Sequence, residues 1–100
     1  MRIDDLRKRL YAIESHIGAS QLPTTDCSGQ RRWLSISEKD LLSIICDLMD
    51  IEVAQQLHGA ADIAPEVLNN LRLWSRVELP TLEDPVLADI RGRARLVVGA

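Results

Sequence analysis

The sequence predicts an all-α fold, a small single-domain bundle of four or five helices over residues 1–100 with one long loop at about residues 18–36. Three observations lead to this prediction. The chain is 46% apolar and 27% charged, which suits one globular domain of this length. In several segments the apolar residues recur three and four positions apart, as they do on one face of a helix. Glycine and proline separate these segments.

The first predicted helix runs to about Gly18 and carries a narrow apolar stripe. The members of the stripe, spaced 3, 4, 3 and 4 positions apart, are Ile3, Leu6, Leu10, Ile13 and Ile17. Two heptads are too short to form a coiled coil that stands alone in water. The stripe therefore packs either against the rest of the domain or against a second copy of the chain, which would make the protein a homodimer through these five residues.

The segment from Gly18 to Ser35 is rich in turn formers and follows neither a helical nor a strand period. A loop of this length is either functional or mobile. The piece QRRWLSI, residues 30–36, leads out of it. We predict coil here, because a single short strand has no evident partner.

Ser37 stands where a helix N-cap is expected, ahead of the apolar segment SEKDLLSIICDLMD. This segment is the predicted central helix, and Cys46 within it is expected to be a small core residue. Asp50 can cap a second, shorter helix that Gly59 ends. Residues 38–58 are therefore either one helix or two.

Two proline positions mark the beginnings of the remaining helices. Pro65 belongs in the first turn of one helix, which ends before Pro80, and Asp84 followed by Pro85 is typical of an N-cap and the first helical residue. The expected buried side of the Pro65 helix consists of Val67, Leu71 and Trp74. In the last helix the apolar positions are Leu87, Ile90, Ala94 and Val97.

The motifs of catalysis, cofactor binding and metal binding are missing from the sequence. It contains no GxxxxGK[ST], GxGxxG or GxSxG pattern, and its histidines and cysteines lack the spacing of zinc ligands. Its carboxylates mostly fall where the start of a helix favours negative charge. We expect a protein that is not an enzyme, with no catalytic residue, no cofactor and no metal.

The sequence also lacks the signals of a membrane or secreted protein. No apolar run approaches the roughly 20 residues of a membrane span, and the N-terminus lacks the layout of a signal peptide. The two cysteines are too few for a disulfide scaffold. We expect a cytoplasmic protein with reduced thiols and no membrane partner.

The segment VAQQLHGAADIAPEVLNNLRLW, residues 53–74, resembles a helix-turn-helix motif. The resemblance puts Ala54 at the helix crossing, Leu57 in the core and Gly59 in the turn, with PEVLNNLRLW as the recognition helix. It implies a DNA-binding transcription regulator. The nucleic-acid-binding residues of this alternative are Asn69, Asn70, Arg72 and Arg76.

Two features of the segment depart from that motif. The turn usually has about 3 to 4 residues, whereas residues 59–64 make a connection of six. Residues 50–78 hold five carboxylates and two arginines, a local net charge of −3, and the whole chain also carries −3. Because a DNA-binding face gains affinity by neutralising phosphates, nucleic acid is the less favoured partner. Whether the basic clusters elsewhere merge into such a face stays open.

Protein binding is the favoured function. The loop presents Arg31, Arg32 and Trp33, and tryptophan and arginine are enriched at interface hot spots. Arg7 and Arg9 on the first helix join the predicted protein-binding set, whereas Trp33 has the alternative of sealing the loop onto the helices. We predict a regulator, adaptor or inhibitor of bacterial or phage type, with a small accessory subunit of a larger complex as a further alternative.

Overall fold

The computed structural model describes residues 3–17, 21–79 and 84–99, and of residues 16 and 17 it describes the backbone. The described helices are α1 (Ile3–Ile17), α2 (Glu38–His58), α3 (Pro65–Ser75) and α4 (Pro85–Val98). The strands are β1 (Gln21–Thr25) and β2 (Arg31–Ser35). The fold is therefore mostly helical, as predicted, but it also contains a small antiparallel sheet.

The hairpin corrects the prediction of a long loop and of coil at residues 30–36. β1 pairs antiparallel with β2 in the register Leu22↔Leu34, Pro23↔Trp33 and Thr24↔Arg32. Because proline and threonine are common in turns, β1 was not recognisable as a strand, and β2 then seemed to lack a partner. Of the predicted loop, residues 18–20 lie outside the described part.

α2 is one continuous helix, so Asp50 does not start a second one. The hydroxyl of Ser37 accepts a hydrogen bond from the N–H of Asp40 at 3.2 Å, which confirms the predicted N-cap. Gly59 ends the helix in the left-handed conformation with φ 73°, where glycine avoids the strain that a side chain brings. The predicted helix ends at Gly18 and Pro80 lie outside the described residues.

α4 begins as the sequence predicted. Oδ1 of Asp84 accepts hydrogen bonds from the N–H groups of Val86 and Leu87 at 2.9 and 3.2 Å, and Pro85 occupies the first turn. Arg93 binds both carboxylate oxygens of Glu52 at 2.7 and 2.9 Å, and so joins α4 to α2.

The hydrophobic core takes side chains from all four helices and from the hairpin. Its buried members are Leu6, Leu10, Ile13, Leu22, Ile36, Leu41, Ile44, Leu48, Ile51, Leu71, Trp74, Val77, Val86, Leu87, Ile90 and Ala94. Trp74 is a core residue as predicted. The prediction for Cys46 is wrong, because the buried face of α2 runs along Leu41, Ile44 and Leu48 and leaves the thiol exposed.

The apolar stripe of α1 packs within the chain. Leu6, Leu10 and Ile13 are buried in the core, whereas Ile3 is 49% exposed. The side chain of Ile17 lies outside the described part. The three central positions of the predicted dimer surface are thus already covered by the chain itself.

The two helices that resemble a helix-turn-helix do not form the packed corner of that motif. α3 packs chiefly against α4 and has little direct contact with α2. Leu57, which the resemblance places in the core, is 72% exposed. The six-residue connection at residues 59–64 is present, because α2 ends at His58 and α3 begins at Pro65.

The hairpin is held against α3 by one buried side chain and one backbone contact. Thr24 is fully buried, and its hydroxyl donates to the carbonyl of Leu73 at 2.5 Å. The N–H of Glu78 donates to the carbonyl of Pro23 at 2.8 Å. Together with the buried Leu22, these contacts hold β1 against α3.

We expect Thr24→Val to lower the free energy of unfolding by about 1–2 kcal/mol, because it removes a buried hydrogen bond with little change of shape. Thr25→Val is the matched control, since Thr25 is only partly buried and the change there should be within about 0.5 kcal/mol. Urea unfolding of both variants measures the difference. Equal stability of the two variants would contradict the role of the Thr24 hydroxyl.

Candidate functional site

Asp26 organises the turn between the two strands. Its Oδ1 accepts hydrogen bonds from the N–H groups of Ser28 and Gln30, both at 2.9 Å, and its Oδ2 accepts from Nε of Arg32 at 2.8 Å. Gly29, with φ 84°, closes the turn in the left-handed conformation. The hydroxyl of Ser28, followed by the Arg32 guanidinium, holds the pKa of Asp26 well below its usual range. Asp26 therefore stays ionised and fixes the direction of Arg32.

A groove of about 460 Å³ opens between the hairpin and α3. The hairpin side is lined by Asp26, Cys27, Ser28, Arg32, Trp33 and Leu34, and the helix side by Asn69, Arg72, Leu73 and Arg76. We call this site the β2–α3 groove. Arg32 and Trp33 of the predicted protein-binding set thus share one groove with three residues of the nucleic-acid-binding alternative, Asn69, Arg72 and Arg76.

A smaller recess of about 150 Å³ continues from the groove and shares Leu34 with it. Ser35 and Asn70 line this recess near the start of α2. At the other end, Arg31 forms an ion pair with Glu78 at 3.4 Å, just beyond α3. Across the groove, the middle of α3 therefore faces the end of β2, and the residues just beyond the C-terminal end of α3 lie near the start of β2.

The groove carries an excess of positive charge. Its lining contains three arginines and one carboxylate, Asp26, which is already paired with Arg32. The side chains of Arg72 and Arg76 make no hydrogen bond or ion pair within the described part of the chain. Two guanidinium groups are thus available to a ligand with negative charge.

Trp33 lies at the edge of the groove and is 57% exposed. It therefore does not seal the hairpin onto the helices, which was the alternative to a binding role. The guanidinium of Arg31 lies 5.4 Å from the centroid of its ring, within the range of a cation–π contact. That contact helps to hold the exposed indole in place.

Arg7 and Arg9, which the sequence grouped with Trp33, do not line the groove. Arg7 pairs with Glu38 at 2.9 Å and Arg9 with Asp84 at 3.5 Å. These ion pairs join α1 to the beginnings of α2 and α4, so both guanidinium groups already have a partner.

Sequence reasoning missed a second apolar surface, on the outer side of α2. Its exposed members are Cys46, Met49, Val53 and Leu57. The available signal was that α2 has apolar residues on both sides, whereas a helix at a surface usually has them on one. Nothing in the described part of the chain covers this surface.

Comparison of the chain with protein-family models, with curated proteins and with solved structures finds no match. Within residues 3–17, 21–79 and 84–99, no three or more histidine, cysteine or acidic side chains are grouped as metal ligands would be. None of the helices described has both the length and the apolar character needed to cross a membrane.

The lowered pKa of Asp26 predicts a loss of stability in acid. A folded-state pKa below the unfolded value stabilises the protein above the unfolded pKa, about 3.9, and this contribution is lost as pH falls through the folded pKa. Asp26→Asn should therefore be less stable than the wild type at neutral pH, and the difference should shrink between about pH 5 and pH 2.5. The pKa values of Asp40 and Glu52 are also lowered, so the wild type loses stability for other reasons as well.

Urea unfolding of the wild type and of Asp26→Asn, each at about pH 5 and about pH 2.5, isolates the contribution of Asp26. The two proteins share every other carboxylate, so only the difference between them matters. A difference that stays constant with pH would contradict the assignment.

Proposed function

We propose that the protein is a non-enzymatic binding module that recognises another protein through the β2–α3 groove, as a regulator, adaptor or inhibitor. The observation that carries the proposal is the meeting of the exposed Trp33 with Arg72 and Arg76, whose charges are unpaired among the described residues. Aromatic and arginine side chains contribute most of the binding energy at many protein interfaces.

The rigidity of the groove supports this function. The Thr24 hydrogen bond fixes the hairpin against α3, and Asp26 fixes the turn and Arg32. A surface that is already ordered loses little conformational entropy when a partner binds. Burial of the Trp33 indole then contributes its apolar area to the affinity.

The composition of the groove favours binding over catalysis. Its lining contains no histidine, and the carboxylate of Asp26 is engaged by the turn and by Arg32. The thiol of Cys27 therefore has no general base beside it in the groove as described. The groups that remain, arginine, asparagine and tryptophan, are those of a recognition surface.

Trp33→Ala should weaken binding of the partner about tenfold or more while the fold is retained, since tryptophan hot spots commonly contribute 2 kcal/mol or more. Affinity capture from the native cell identifies the partner, and titration of the purified partner gives the affinity. Tyr11→Ala is the matched control, because Tyr11 is an exposed aromatic residue on α1, outside the lining of the groove. Equal affinities for wild type and Trp33→Ala would sink the proposal.

Nucleic acid is the second candidate ligand. Asn69, Arg72 and Arg76 share the groove with Arg32. The arginines suit a phosphate backbone, and the asparagine suits the edge of a base in duplex DNA. The net charge of −3 on the whole chain disfavours DNA, because a duplex extends beyond the groove and meets the acidic surface around it.

For this second candidate we expect a gel shift with mixed-sequence duplex DNA that weakens as salt rises. The double variant Arg72→Glu, Arg76→Glu should abolish the shift. Absence of any shift at low salt would remove duplex DNA as a ligand.

A further inference from the structure

The two outer edges of the hairpin differ. In an antiparallel pair, the residues alternate between those that bond to the partner strand and those that point away. The N–H of Asp26 donates to the carbonyl of Gln30 at 2.9 Å, so Asp26 belongs to the residues that bond to the partner strand. Pro23 is an odd number of positions away, and its backbone groups therefore point away from β2. Pro23 has no N–H, and its carbonyl already accepts the N–H of Glu78. The edge of β1 is therefore closed to another strand.

The edge of β2 is open. The same alternation directs the N–H and carbonyl groups of Arg31, Trp33 and Ser35 away from β1. None of these backbone groups has a hydrogen-bond partner within the described part of the protein. An unpaired edge of this kind is a template for one more strand.

The open edge lies beside the groove. Arg32 and Leu34 line the groove together with α3. Along β2 they alternate with the three residues whose backbone groups form the open edge. A segment that pairs with the edge would place every second side chain into the groove and the others in solvent. β2 has five residues, which matches an added segment of about 17 Å.

The charge of the groove identifies the chemistry of that segment. Arg72 lies in the last turn of α3 and Arg76 is the C-cap residue that follows the helix, so the two are about one turn, or about 6 Å, apart along the helix axis. Alternate side chains of a strand are about 6.6 Å apart. Because α3 faces β2 across the groove, carboxylates at alternate positions of an added strand match the two free guanidinium groups. We propose that the partner presents an extended acidic segment, with Asp or Glu at every second position, which adds a third strand to β2. This inference rests on the proposed function and specifies its ligand.

A library of random eight-residue peptides, displayed and selected on the full chain, tests the chemistry. Selected peptides should carry Asp or Glu at alternate positions and should lack proline between them. The double variant Arg72→Glu, Arg76→Glu should instead select Lys or Arg. The matched control is Lys8→Glu, Lys39→Glu, which makes the same change of charge at exposed positions of α1 and α2 and should leave the selection acidic.

Three outcomes of the selection overturn the inference. In the first, no peptide is selected. In the second, the selected peptides are not enriched in Asp or Glu. In the third, the double variant Arg72→Glu, Arg76→Glu selects the same acidic peptides as the wild type. Selection of helical peptides with acids three or four positions apart also overturns it, because a helix cannot extend the sheet.

Methylation of the backbone of one selected peptide tests the strand. N-methylation at every second amide, which faces β2, should weaken binding about fivefold or more per position, and methylation of the intervening amides should have little effect. Equal effects along the peptide would overturn strand addition.

A comparison of Trp33→Pro with Trp33→Ala tests the backbone hydrogen bonds between β2 and the peptide by changing β2 instead of the peptide. Both variants lose the indole, but only Trp33→Pro also loses the outward N–H, so it should bind the selected peptide about fivefold more weakly than Trp33→Ala. Circular dichroism confirms that both variants are folded, and the peptide scan gives the answer if Trp33→Pro is not. Equal affinity of two folded variants overturns the inference.

The two levels of the proposal fail in different ways. If Trp33→Ala weakens binding of the native partner but the effect of peptide methylation does not alternate along the peptide, the proposal of protein binding stands and that of strand addition fails. If Trp33→Ala leaves the native partner unaffected, the proposed function itself fails, whatever the peptides show.

Discussion

The packing of the hairpin against α3 is the constraint on which the groove depends. The fully buried hydroxyl of Thr24 has the carbonyl of Leu73 as its partner, so a shift of the strand would leave a buried polar group unpaired. A slip by one residue would also exchange the faces of β1, which would expose Leu22 and bury Pro23. Both costs oppose a shift of β1. They fix β1 and, through the ladder of hydrogen bonds, hold β2 at the position where it faces α3 across the groove.

The distribution of arginines explains how an acidic chain acquires a basic site. Outside the groove, arginines such as Arg7 and Arg93 are neutralised by ion pairs between helices. In the groove, Arg72 and Arg76 have no such partner among the described residues. Charges further apart than a Debye length, about 8 Å at physiological salt, are largely screened from each other. A ligand in the groove therefore interacts with these guanidinium groups more than with the net charge of −3.

The helices were predictable because their signals are local. The caps at Ser37 and Asp84 act within three residues, and the apolar spacing that places Trp74 in the core lies within one helix. The hairpin was not predictable in the same way, because β1 becomes a strand only through pairing and through the contact of Thr24 with α3, 49 residues away in sequence. Both halves of the groove were identified separately as Arg32 with Trp33 and as Asn69 with Arg72 and Arg76. Only tertiary packing brings them together.

Amide hydrogen exchange, resolved by residue with NMR, tests most directly whether β2 has an open edge that a partner occupies. In the free protein the amides of Arg32 and Leu34, which bond to β1, should exchange slowly, and those of Arg31, Trp33 and Ser35 should exchange fast. When the partner binds, these three amides should become protected as well. Fast exchange at all three in the saturated complex would contradict the account.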